Sequence, residues 1–283
     1  MNTIINTRLT EFCRILFGFS DNMFTVDEYD ITDERWGSSP KNIIDYVGDK
    51  FMTDIQQNLI KSFDIESWKK HIDTPYTNLH FDSGANNESN YTDNINVQFI
   101  GVTGKKFNGK DTISDYICGK YNFKKVAYAT PLKDACRVLF DFSEEQLYGN
   151  LKETYDDRWG IAPRQAYQHI GTNLFRNQLH NLLPKVGNNF WVKCLEEMVK
   201  KIVADDPKTR IIVSDIRFQN EVDSLKNLFT NCKIIRVKRP YMISNDTHDS
   251  EKFIDDLKYI DCEIENNGTL ESLYNKIDMQ LCL

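Results

Sequence analysis

From Val97 to Thr103 the chain reads VQFIGVT, apolar almost throughout, which predicts a short strand buried on both faces. KVAYA at 125–129, RIIVSD from Arg210, KIIRVK from Lys233 and YIDCEIEN from Tyr259 have the same character. Between them the period changes. Lys110–Lys120 predicts a helix, and FWVKCLEEMVKKIVA places Trp191, Val192, Leu195, Val199, Ile202 and Val203 at helical spacing. LESLYNKIDMQL is an amphipathic closing helix. Strands that alternate with helices predict an α/β fold, a parallel sheet flanked by helices.

The N-terminal third follows another pattern, mainly helical, and it occurs twice. LTEFCRILFGFS from Leu9 aligns with LKDACRVLFDFS from Leu132, DERWGSSP with DDRWGIAP, and Gly48 with Gly171. Trp36 pairs with Trp159 and Trp68 with Trp191, each 123 residues apart. Two copies are too few for a solenoid, so this is a partial duplication. The first copy has no glycine-rich loop before it and nothing like IIVSDIRF after it. We therefore divide the chain into a degenerate repeat without a phosphate loop (1–75), an Asn- and Asp-rich linker (76–94) and a main domain (95–283) whose repeat module is 132–194. The first copy is assigned a packing or dimer-forming role, so a homodimer is one expected state.

Charge and cysteines narrow the function. A net charge of −7 argues against a nucleic-acid-coating protein, while a small anionic substrate needs only cations within a cleft. Seven scattered cysteines without C-x-x-C spacing point to reduced thiols. No apolar run has the length of a membrane span or the form of a signal peptide, so a cytoplasmic protein is expected, in the host cytoplasm if the source is a virus.

The chemistry centres on GKKFNGKDT at 104–112. A buried strand, Gly104, four residues, Gly109-Lys110 and a helix form the context of a phosphate-binding loop. Its glycines let backbone N–H groups converge on a polyphosphate, the helix adds its positive end, and Lys110 reaches the β- and γ-phosphates. ATP is the expected ligand, on Gly104, Lys105, Asn108, Gly109, Lys110, Asp111 and Thr112. Asp111 departs from the usual serine or threonine. Mg²⁺ accepts carboxylate oxygens, and Thr112 supplies a hydroxyl, so both are candidate metal-side groups. Asp215, at the C-terminal end of a strand, is a third. Arg217 follows on the same face if the strand continues, its planar fork suited to a monophosphate or a base edge, and Glu221 is read as a local cap.

The loop, together with RQAYQHIGTNLFRN…FWVK, VSDIRFQNEVD, RVKRPYMISNDTHDSE and IENNGTLESLYNKI, resembles the viral and phage deoxynucleoside monophosphate kinases over residues 97–277. The resemblance implies a P-loop kinase that uses ATP and Mg²⁺ to phosphorylate a deoxynucleoside monophosphate. It implies that Asp215 serves the magnesium, that Arg164 binds the acceptor phosphate, and that Asn266 lies near adenine. Arg239, at a strand exit, resembles a lid arginine, with Arg236 structural, and His248 and Glu251 match an H-x-S-E feature. Lys110, Arg164, Asp215, Arg217 and Arg239 are thus the catalytic candidates. Arg35 and Arg158, shared by both copies, are read as serving the module's folding, and Trp159 and Trp191 as core. The rival readings are another small-molecule P-loop kinase, of the dephospho-coenzyme A type, and a non-catalytic assembly protein that keeps the fold.

Overall fold

The computed structural model describes residues 7–24, 29–54, 98–229, 231–240 and 249–281. In chain order the elements are α1 (Thr7–Phe17), α2 (Pro40–Asp54), β1 (Phe99–Thr103), α3 (Lys110–Tyr121), β2 (Phe123–Val126), α4 (Ala129–Phe140), α5 (Glu144–Leu147), α6 (Pro163–Gln168), a π-helix (His169–Arg176), α7 (Phe190–Asp205), β3 (Arg210–Ile216), α8 (Gln219–Leu228), β4 (Cys232–Lys238), α9 (Asp249–Lys252), β5 (Cys262–Glu265) and α10 (Leu270–Leu281). They form two compact units, one from residues 1–82 and 129–194, the other from 83–128 and 195–283. The linker 76–94, Trp68 and His248 lie outside the described residues.

The second unit is the predicted sheet. Its five strands are all parallel, in the order β2-β3-β1-β4-β5. One face is covered by α3 and α10: Ile113, Ile117, Tyr121, Leu273, Ile277 and Leu281 pack on Ile100, Val102, Ile212, Ile235, Val237 and Ile264. On the other face a Cβ at Gly101 would collide with Ile216 and Ile234 and press on Leu225 of α8. The lack of a side chain there lets that layer close on β1. KVAYA was expected as a strand, but β2 ends at Val126 and Ala129 already opens α4. The amide of Tyr128 leaves the ladder and donates to the Asp215 carboxylate at 2.7 Å.

The first unit contains both stretches aligned as a repeat, and several aligned residues make matching contacts. The indole N–H of Trp36 donates to the Phe17 carbonyl at 2.9 Å, and that of Trp159 to Phe140 at 2.7 Å. Asp33 bridges Ser38 as Asp156 bridges Ile161, with Gly37 and Gly160 in the left-handed region at φ 74° and 70°. Arg35 binds the Asp33 carboxylate at 3.1 Å and Arg158 binds Asp156 at 3.0 Å, so these arginines hold a turn together. A Cβ on Gly48 would lie 2.9 Å from Leu9, and one on Gly171 would lie 2.6 Å from Leu132, the corresponding leucine. Both tryptophans of the second copy are buried.

Candidate active site

Every loop residue from Gly104 to Thr112 lies between β1 and the first turn of α3. Two glycines shape the turn. Gly104 has φ 147°, and a Cβ there would strike the Val237 carbonyl oxygen of β4; Gly109 has φ 101°, with the Asn266 amide 2.6 Å from a Cβ position. Asn108 donates to the Val237 carbonyl at 3.0 Å, and Asn266 donates to the Asn108 carbonyl at 3.0 Å. The loop is therefore pinned from β4 and from the end of β5, and Asn266 reaches it directly. No side chain caps α3 from Gly109, which leaves first-turn amides directed at the loop. A cradle without room for a Cβ, with uncapped helix amides beside a lysine, fits a polyphosphate.

Gly104→Ala tests the cradle. Positive φ and a backbone collision cannot be relieved by a rotamer change, so affinity for MgATP, read by calorimetry, is expected to fall at least about tenfold, roughly 1.4 kcal/mol. Unchanged affinity would remove the loop from the binding site.

Lys110 is 9 % exposed, and its ammonium donates to the Lys105 carbonyl at 2.9 Å, across the loop. Burial pushes its pKa down to about 8, helped by Arg217 and opposed by Glu251, Asp111 and Asp215. The same four side chains are therefore the charges that Lys110 feels. Asp215 stands near the end of β3, where the β1–β3 register slips between Gly101 and Thr103, and Thr103 Oγ1 donates to the Ile216 carbonyl at 2.8 Å. Arg217 forms an ion pair with Glu251, whose other oxygen accepts the Lys106 amide of the loop at 3.0 Å. Glu251 is 2 % exposed. Glu221, also buried, accepts the amides of Arg217 and Phe218 at 2.8 and 3.1 Å and so starts α8.

Several of the other candidates have partners of their own. The Asp111 carboxylate is exposed and pairs with Lys125 at 3.2 Å. Lys105 pairs with Asp255, just after α9. Arg239 is exposed at the exit of β4, next to residues outside the described set. Arg236 is buried and donates to Glu263 and to the Leu257 carbonyl, a structural role. Arg164 belongs to the first unit, where it faces Glu153 at 3.6 Å. Among the described residues no group of three or more His, Cys, Asp or Glu side chains could enclose a metal ion, and no helix is long and apolar enough to cross a membrane. A magnesium ion here would rest on one or two carboxylates plus substrate phosphates, the usual arrangement for this ion in kinases.

A parallel sheet whose central strand runs through such a loop into a helix, with an aspartate ending the neighbouring strand, defines a P-loop phosphotransferase of the nucleotide-kinase class. A family model described as deoxynucleotide monophosphate kinase matches residues 139–277. A deoxynucleotide monophosphate kinase homologue of Acanthamoeba polyphaga mimivirus is 38 % identical over 181 residues, 63 % of this chain and 93 % of that protein. The deoxynucleotide monophosphate kinase of enterobacteria phage T4 is 32 % identical, over 64 % of this chain and 97 % of its own. A dephospho-CoA kinase of Fusobacterium nucleatum is 26 % identical, over 65 % and 97 %. The chain belongs to the deoxynucleotide monophosphate kinase family, and it is a kinase. Each of these relatives is matched almost whole, while about a third of this chain has no counterpart in them.

Proposed function

We propose that the chain transfers the γ-phosphoryl group of ATP, with Mg²⁺, to the 5′-phosphate of a deoxynucleoside monophosphate. The observation that carries this reading is the strand–loop–helix at 99–121 with a buried Lys110 beside Asp215, in a chain of this family. Loop amides and Lys110 hold the triphosphate, and Asn266 borders its nucleoside end. Asp215, with Asp111 or Thr112, holds the magnesium, which would supply charge neutralisation on the phosphates. Arg217 and Arg239 neutralise the phosphoryl group in transit, and Arg164 recognises the acceptor phosphate through its planar fork. The acceptor oxygen is already ionised near neutral pH, so no strong general base is required. Catalysis is positioning and charge stabilisation.

A second reading, transfer to dephospho-coenzyme A, is favoured by the near full-length match to a dephospho-CoA kinase. One panel separates the two: ribo- and deoxynucleoside monophosphates and dephospho-coenzyme A, each with ATP and magnesium. The expected result is turnover of at least one deoxynucleoside monophosphate with kcat/KM about 10⁴ M⁻¹s⁻¹ or higher. Turnover confined to dephospho-coenzyme A would replace the proposal with the second reading.

A further inference from the structure

Within the first unit the two copies of the repeat pack on each other through equivalent elements. Helix α1 lies along α4, its counterpart, and α2 contacts the π-helix, the counterpart of its own second half. Contacts of each element with its own equivalent are the signature of a two-fold axis, as in an isologous dimer. Phe12 and Cys13 correspond to Ala135 and Cys136, and all four are fully buried. The rings of Phe12 and Phe17 in the first copy lie 5.8 and 6.1 Å from Phe175 of the second, and Trp36 lies 5.4 Å from Phe190. Arg8 donates to the Val138 carbonyl near the end of α4 at 2.8 Å, and the Tyr46 hydroxyl donates to the Gln178 carbonyl at 3.0 Å.

Among the described residues the copies differ in winding at the helix that carries the candidate acceptor arginine. The first has an unbroken α-helix over Pro40–Asp54, whereas over the equivalent residues the second has six α-helical residues followed by eight in π-winding. π-Helices are rare, occur mostly as single turns within α-helices and are frequent at functional sites. The π-wound copy carries Arg164, His169 and Arg176, where the α-helical copy has Lys41, Tyr46 and Thr53. The first copy touches this segment at its C-terminal end: Phe12 and Phe17 pack on Phe175, and Tyr46 bonds the Gln178 carbonyl just beyond it.

We propose that the N-terminal copy is a tethered pairing partner, standing where a second subunit would stand in a two-fold dimer, and that it holds the second copy's π-helix in the winding needed by the acceptor-binding segment. The family model matches only from residue 139 onward, and the relatives leave about a third of this chain unmatched, so the first copy lies outside the part of the chain that the family model covers. Its link to the acceptor rests on the function proposed above; the pairing itself does not.

The test uses the full chain in two forms. In the first, a protease site is introduced at 83–94 and cut in the native protein. The pieces are expected to co-elute at the mass of one chain by light scattering. Separation of the pieces, or an intact chain that is already a dimer through this face, overturns the pairing. In the second, Tyr46→Phe and Phe12→Ala are compared with the parent by amide hydrogen exchange and by kinetics. Tyr46→Phe removes one hydrogen bond and leaves the packing, so it stays informative should Phe12→Ala fold poorly. Exchange over 169–178 is expected to quicken about tenfold with no change over 99–121, and the acceptor KM to rise several-fold at constant ATP KM. Unaltered exchange over 169–178 in Tyr46→Phe overturns the positioning role without touching the kinase assignment. Conversely, absent turnover of deoxynucleoside monophosphates with faster exchange refutes the proposed acceptor alone.

Discussion

Lys110→Met is expected to lower kcat/KM about 10³-fold, the scale of losing one preorganised charge in an active site, while raising the melting temperature of the nucleotide-free protein. Both effects come from the same burial. An ammonium group that is 9 % exposed is held in the empty protein with its pKa pushed down to about 8 from the ordinary 10.5. The folded state then binds fewer protons than the unfolded state between those two values, so stability rises with pH across that window. Below about pH 8 the full cost of the buried charge is present, on the order of 3 kcal/mol. Methionine has a similar length and no charge to desolvate. At pH 7 its melting temperature should exceed the parent's by roughly 5 °C, and the gap should close toward pH 10. Kinetically, the parent's KM for ATP should climb between pH 7.5 and 9.5, as the empty site loses the proton it needs to meet a triphosphate. A lower melting temperature for Lys110→Met at pH 7 would show that the ammonium stabilises the empty loop rather than waiting there at a cost.

What the sequence disclosed and what it concealed divide along physical lines. Parallel strands buried on both faces are continuous apolar runs, so VQFIGVT, RIIVSD and KIIRVK were legible; the final helix was legible to the residue, Leu270–Leu281. The loop was legible because its glycines are demanded by backbone geometry at Gly104 and Gly109. KVAYA misled because alternation cannot reveal that Tyr128 gives its amide to a side chain 87 residues away. Glu251 was matched only as part of a motif, since its buried bridge to the Lys106 amide spans 145 residues. The duplication predicted two similar modules, but not that they would pair with one another. Nor did any pattern predict the π-winding of His169–Arg176, a rare geometry that no residue type or spacing in that stretch singles out.

The Arg217–Glu251 pair joins the stability of the loop to its chemistry, and a double-mutant cycle separates the two. Glu251 is buried and makes two contacts, with Arg217 and with the Lys106 amide. Arg217→Met leaves that carboxylate without its cation, at a cost of about 2 kcal/mol, below the range for fully buried pairs because the arginine side chain is 25 % exposed. Glu251→Met should cost a similar amount, by removing the buried carboxylate that pairs with the arginine and accepts the loop amide. In the double variant no charge is left uncompensated, so most of the stability should return. Activity should not return with it. If Arg217 meets the phosphoryl group in transit, as proposed, then both Arg217→Met and the double variant lose about 10²–10³ in kcat, whereas Glu251→Met retains a cation that can still reach the phosphates and loses far less. On this reading Glu251 is a resting place for the arginine, a carboxylate that occupies it until a triphosphate arrives. Melting curves and steady-state rates on the four proteins decide the matter: a double variant that turns over like the parent would make Arg217 a structural partner of Glu251 and leave Arg239 and Lys110 as the only proposed cations on the transferring group.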